Sequence, residues 1–260
     1  MSPKCKILVV LLLAVFAINC SDPPAPKKGI TRYYITKISM PEGWEDQFQY
    51  ANDTLIDQIQ VYKDGQLLST QSLSWQGDHS FSIVTKGHHI NEIISIKKFT
   101  LGGTAISGIS VQDFYPNYDY EYNFSYDSQS RLDSYIYSRN GGTQVLESGK
   151  ATWLTDSLSV LQKQGTKSVV FGVKFEGEDS ASPWSGLSQE ALATIMFQGV
   201  NIVEGFVPGK INAFGSSSYG YYRYDEYLYN SDNNLTSLRR TNTTTGKVEY
   251  FKFEWKKVLL

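Results

Sequence analysis

Asp119-Tyr120-Glu121-Tyr122-Asn123-Phe124-Ser125-Tyr126 alternates polar and aromatic residues through eight positions. Successive side chains of a β-strand point to opposite faces, so this stretch reads as a half-buried strand with its rings on one side. Phe251-Lys252-Phe253-Glu254-Trp255-Lys256 alternates in the same way. Ile59 to Tyr62, Ile93 to Phe99 and Val169 to Phe175 are β-branched or aromatic runs with the same preference. Between these runs lie the turn dipeptides Asp64-Gly65, Gly102-Gly103 and Thr245-Gly246 and the triplet Asn140-Gly141-Gly142. Strands joined by short turns argue for an antiparallel meander, not for βαβ units. The expected fold class is therefore all-β: a large curled antiparallel β-meander of more than about ten strands, either a half-barrel or a layered sheet.

A loose internal repeat supports this. An aromatic residue precedes an Asp/Asn-rich turn, and a Leu then opens the next strand. The copies are Tyr50 to Leu55, Tyr126 to Leu132, Trp153 to Leu158 and Tyr229 to Leu235. Their unequal spacing reads as repeated hairpins, not as a solenoid. One segment breaks the pattern. Over 188–197, Leu192, Ile195 and Met196 fall at helical spacing, with Glu190 in the first turn and Gly199 past the end, which predicts one short helix. Pro183-Trp184 before it and Gly205 to Gly215 after it read as loops.

Composition narrows the class. The 260 residues are 41% apolar and 19% charged, with five Trp, 18 Tyr and 13 Phe, which excludes disorder, collagen and a coiled coil. A net charge of −2 with no basic block leaves no electrostatic case for nucleic acid as a partner.

The N-terminus has its own logic. Lys4 and Lys6 precede a 12-residue apolar run, Ile7 to Ile18, that ends at Asn19-Cys20. This is the layout of a secretory signal over residues 1–19, too short for a helix of about 20 apolar residues that spans a bilayer. Ala17-Ile18-Asn19-Cys20 resembles a bacterial lipobox, which implies lipidation at Cys20. Removing residues 1–19 takes two lysines with it, moves the charge from −2 to −4, and leaves Cys20 as the only cysteine, so no intrachain disulfide remains. Residues 20–28, Cys-Ser-Asp-Pro-Pro-Ala-Pro-Lys-Lys, read as an extended tether that spans ~25 Å. Residues 29–260 then form a single all-β domain. Ser21 after the Cys resembles an outer-membrane sorting signal, so the expected location is the cell envelope, lipid-anchored to the outer membrane.

Ser182-Pro183-Trp184-Ser185-Gly186-Leu187, the helix, Tyr222-Arg223-Tyr224-Asp225 and Asn230 to Leu238 together resemble a Bacteroidota lipoprotein family of unknown function. Its members combine a lipobox, hairpins similar to tyrosine–aspartate (YD) repeats and one late helix. The resemblance implies location and fold but supplies no catalytic residues.

The sequence carries no G-x-S-x-G elbow, P-loop, G-x-G-x-x-G or H-E-x-x-H motif. His88 and His89 are adjacent, so in a strand they face opposite sides and do not ligate one metal; no metal or cofactor is expected. Glu42, Glu45 and Asp46, and Glu176, Glu178 and Asp179, are local acidic clusters in Gly- or Pro-containing loops. The chain is read as not an enzyme, and its function as non-catalytic binding of a glycan or protein ligand. The exposed aromatics expected to touch that ligand are Trp44, Trp75 and Trp184, which flank Gly or Pro. Two alternatives remain: a lipid carrier with a helix lid, and a carboxylate-dependent glycoside hydrolase. Asp53-Thr54-Leu55, Asp156-Ser157-Leu158 and Asp179-Ser180-Ala181 resemble an O-glycosylation signal of exported Bacteroidota proteins, which would modify Thr54, Ser157 and Ser180.

Overall fold

The computed structural model describes residues 31–52, 55–77, 79–102, 105–114, 117–176, 209–217 and 220–259. The chain runs through β1 (Thr31–Met40), β2 (Trp44–Ala51), β3 (Leu55–Lys63), β4 (Gln66–Trp75), β5 (Ser80–Gly87), β6 (Ile93–Gly102), β7 (Ala105–Phe114) and β8 (Asn117–Tyr126). It continues through β9 (Leu132–Arg139), β10 (Gln144–Leu154), β11 (Ser157–Gln164), β12 (Lys167–Phe175), β13 (Ile211–Ser216), β14 (Gly220–Tyr229), β15 (Leu235–Asn242) and β16 (Val248–Leu259). Among the described residues the only helical segment is a single 3-10 turn, Pro41–Gly43. The helix expected over 188–197, the signal and tether over 1–28, and Cys20, Thr54, Ser180 and Trp184 all lie outside the described residues.

Each strand pairs with its sequence neighbours and β16 returns to β1, so the sheet is a closed sixteen-strand barrel. This corrects the expected half-barrel or layered sheet. Strand twist carries so wide a sheet round on itself, and pairing β1 with β16 removes two edges of unpaired N–H and C=O groups. Ion pairs fasten that seam. Lys37 of β1 lies 3.7 Å from Glu254 of β16. Glu42, in the turn after β1, lies 2.6 Å from Lys247, just before β16.

The alternation read in the sequence sets the polarity of the wall. Inward positions are filled by Ile38, Ile59, Phe99, Val160, Val173 and Leu238, all fully buried. Outward positions in mid-strand carry Lys98, Gln112, Lys150 and Lys252, all exposed. In β8 the inward ladder is Tyr120, Tyr122 and Phe124, with Tyr122 stacked at 4.8 Å on Tyr137 of β9. Tyr135 of β9 lies flat against the backbone of Gly149 in β10, its register partner. A Cβ at Gly149 would meet that ring at 2.0 Å.

The hairpins that lead from even to odd strands share one end of the barrel, and a common device closes them. Among the described residues, five inward aromatics toward the ends of even strands donate to a carbonyl of the preceding odd strand. Tyr50 donates to Ile35 O, Tyr126 to Ile106 O and Trp153 to Leu132 O. Tyr227 donates to Ile211 O and Trp255 to Leu235 O. Two of the adjoining turns match bond for bond. Asp127 Oδ1 accepts from the N–H groups of Gln129 and Arg131, and Asn230 Oδ1 accepts from those of Asp232 and Asn234. In both turns the fourth residue, Ser130 or Asn233, has positive φ. This is the physical content of the sequence repeat: a side-chain oxygen closes the turn and the next Leu re-enters the core.

Two glycine substitutions separate packing from mere exposure. Gly149→Ala drives a methyl into the Tyr135 ring and should cost about 1–3 kcal/mol in denaturant unfolding. Gly172→Ala, where nothing lies within 4 Å of an added Cβ, should leave the unfolding midpoint near that of the parent.

Candidate functional site

Two places concentrate chemistry, one inside the wall and one on its outer surface. Inside, at the end opposite the aromatic clamps, Asp46 of β2 is fully buried, and its register partners Ile38 and Val61 share its inward face. Lys97 of β6 faces inward beside Ile83 and Val111. Burial pushes the Lys97 amine below the usual lysine range, while the carboxylates of Asp113 and Asp46 hold it up. β2 and β6 are four strands apart, about 19 Å along the wall. The Asp46–Lys97 attraction therefore reaches across the interior, not along the sheet. Asp113 also accepts a hydrogen bond from Tyr120, whose phenol is pushed up to about 12, first by burial and then by that carboxylate. Further round, Arg240 gives Nε and Nη2 to Glu249 Oε2 at 2.9 and 2.7 Å, and its guanidinium lies over the rings of Tyr222 and Phe251. These groups, Asp46 fully and the others partly buried, interact with one another and read as the barrel's internal polar layer.

The outer surface differs at β11–β14. Strand register sets two rows across these four strands. The first is Ser159, Gly172, Gly215 and Tyr221, and the second is Ser157, Lys174, Ala213 and Arg223. Seven of the eight positions carry small residues or a long flexible chain, so the wall sinks into a groove of about 660 Å³. Its floor is backbone at Gly172 and Gly215. The Tyr221 ring lies directly on Gly215, where a Cβ would sit 2.3 Å from Cδ1, and the side chain is still 54% exposed. Thr243, in the β15–β16 turn, closes one side by donating both N–H and hydroxyl to Tyr221 O. Lys174 and Arg223 bring two cations, and among the described residues no Asp, Glu or His lines the groove. Arg223 spends its Nε on Asp225 Oδ2 at 3.0 Å, yet its side chain stays 61% exposed.

Sequence reasoning missed this groove because its parts come from four strands and form no local motif. The reading of Gly205 to Gly215 as a loop also hid one strand, since Ile211–Ser216 is β13. The signal that could have found it is Gly172, an interior glycine in the apolar run Val169 to Phe175; such glycines often mark a close approach to a strand.

The residues singled out beforehand go elsewhere. Trp44 begins β2 and Trp75 ends β4, at opposite ends of the barrel, so they share no surface. Both are half-buried: Trp44 has Lys63 Nζ 5.3 Å from its ring centroid, and Trp75 packs 5.1 Å from Phe81. Ser157 opens β11 at the rim of the groove, its hydroxyl 3.3 Å from Asp156 Oδ1. The first acidic cluster is dispersed, with Asp46 inside, Glu45 paired to Lys37 at 2.8 Å and Glu42 paired to Lys247. His79 and His88-His89 lie at opposite ends of β5.

No family model and no curated protein matches the chain. Solved structures do. A porin-like protein from Bacteroides uniformis is similar with a TM-score of 0.54 at 12% identity, over 85% of this chain and 98% of that one. A porin-like protein from Bacteroides vulgatus is similar with a TM-score of 0.52 at 10% identity, over the same shares of both chains. The likeness is one of fold.

The internal polar layer predicts an alkaline transition. The Tyr120 phenol ionises near 10 when unfolded and holds its proton to about 12 when folded. Its contribution is therefore complete below pH 10 and is lost as pH rises from 10 to 12. Partial exposure reduces it to about 1–2 kcal/mol. Tyr120→Phe should flatten that part of the stability–pH curve, as measured by urea unfolding at stepped pH.

Proposed function

We propose that the chain is a lipid-tethered barrel of the cell envelope that binds a glycan, without catalysis, in the outer-wall groove of β11–β14. The groove carries the reading. A flat tyrosine face seated on glycine, an open backbone floor and the hydroxyls of Ser157, Ser159 and Thr243 suit a sugar ring, which has one apolar face and a polar rim. Among the described residues the lining supplies no acid–base pair.

The polarity of the wall supports a barrel that stands in water. A membrane-spanning barrel shows an apolar outer band and a polar lumen, and a charge on its lipid face costs about 2–4 kcal/mol at the midplane. Here the fully buried aliphatic and phenyl side chains point inward, and outside, in mid-strand, the lysines Lys98, Lys150 and Lys252 share the wall with single apolar residues such as Ile136, Leu161 and Val170. Such a wall suits water, and on this reading membrane attachment rests on a lipid on Cys20 and the tether over 20–28. The Bacteroides origin of the porin-like structures is consistent with an envelope location. The closed sheet with its buried inner face supports this reading over an open-faced lipid carrier, and the groove lining, which holds no carboxylate among the described residues, supports it over a hydrolase.

Two measurements test this reading. On a glycan array, Tyr221→Ala should weaken binding at least tenfold, and Gly172→Val should abolish it by filling the floor while the melting temperature holds. Silence of the parent chain across the array refutes the glycan reading. Separately, in the native host, Cys20→Ala should move the protein from the membrane to the soluble fraction; retention in the membrane refutes the tether.

A further inference from the structure

The glycan reading says nothing of charge, but the two rows of the groove do. The ring platform lies in the first row, with Tyr221 on Gly215 and open floor at Gly172. Both cations lie in the second row, Lys174 on β12 and Arg223 on β14, on either side of Ala213. Their backbones are two strand spacings apart, about 9.6 Å, and the residue between them projects only a methyl. An anion above Ala213 is thus within reach of an ammonium from one side and a guanidinium from the other. Tyr221 and Arg223 are i, i+2 on β14, so the platform and the anion position are about 6.8 Å apart along the strand.

The charges are also free to act. Arg223 uses Nε for Asp225, and its two terminal nitrogens make no hydrogen bond among the described residues. Lys174 is exposed and has no ion-pair partner among the described residues. Asp225 is itself engaged by Arg239 at 2.6 Å, so it does not neutralise Arg223 alone. On a chain whose net charge is −2, this is a local cationic patch with an aromatic face beside it.

Resting on the glycan reading, we infer that the ligand is an acidic saccharide, a hexuronate-containing oligosaccharide whose ring stacks on Tyr221 while its carboxylate lies over Ala213 between Lys174 and Arg223. A carboxylate bonded directly to the ring stays within one residue pair of the platform, as the row spacing requires. It also meets guanidinium in the fork geometry that planar oxyanions favour.

The test uses the full processed chain in detergent micelles, titrated calorimetrically with oligogalacturonate, with its neutral galactose counterpart and with a sulfated galactan at low salt. Oligogalacturonate should bind at least tenfold more tightly than the neutral oligomer and weaken as salt is raised. Lys174→Ala, an exposed position that leaves folding intact, should erase most of that preference, and Arg223→Lys should retain part of what Arg223→Ala loses. Equal binding of charged and neutral oligomers overturns the inference and leaves the glycan reading standing. Preference for the sulfated chain overturns the hexuronate assignment in the same way. Silence toward all three, with Gly172→Val indistinguishable from the parent, overturns both.

Discussion

The whole architecture hangs on the direction in which one face of the sheet turns. Sixteen strands alternate apolar and polar side chains, and the hydrogen-bonded ladder closes only if one of those faces becomes the inside. The apolar face wins. Burying Phe81, Phe99, Phe251 and their aliphatic neighbours removes a large area from water at about 25 cal/mol per Å², and the lysines stay hydrated outside. Everything else follows. The seam is held by surface ion pairs, one end is closed by aromatic donors, and the few charges that point inward, Lys97, Asp46 and Arg240, find opposite charges or aromatic rings there.

The same rule explains why a groove can exist on the outside. A water-facing wall needs polar side chains for solubility but not for packing, so small residues can accumulate in register without loss of fold. Ser159, Gly172 and Gly215 do so across three strands, and Tyr221 uses the vacated space. Inside the barrel the corresponding vacancy at Gly149 is filled at once, by Tyr135. A glycine inside is part of the packing, and the same residue outside makes a binding surface.

Much of the fold was legible. The Tyr120–Phe124 alternation, the Phe251–Lys256 alternation and the Asp64-Gly65 turn appear as read, with Asp64 and Gly65 both at positive φ. The repeat of aromatic, turn and Leu was also visible, although its bonding logic was not, because a phenol reaching a carbonyl about 15–20 residues back leaves no local mark. Closure was hidden for the same reason. It depends on β1 meeting β16 across the length of the chain, and no short segment encodes that. The candidate tryptophans came from the company of Gly and Pro, which signals a turn but not the side on which a ring ends. Trp44 and Trp75 turn to the core, and the ring exposed at the groove is Tyr221, at the start of β14.

The five aromatic clamps carry one more implication. Each runs from an even strand to the odd strand just before it, never forward, so the wall is buttoned in twos: β1 with β2, β7 with β8, β9 with β10, β13 with β14 and β15 with β16. A wall of paired staves can gain or lose a whole pair by duplication or deletion of one hairpin, and each change alters the girth by about 9.6 Å without leaving a clamp half made. Odd numbers of strands would strand a ring without its carbonyl and reverse the direction of the chain at the seam. Barrels of this kind should therefore vary in circumference among relatives by even steps, with the clamps as the visible joints at which the chain was lengthened or cut.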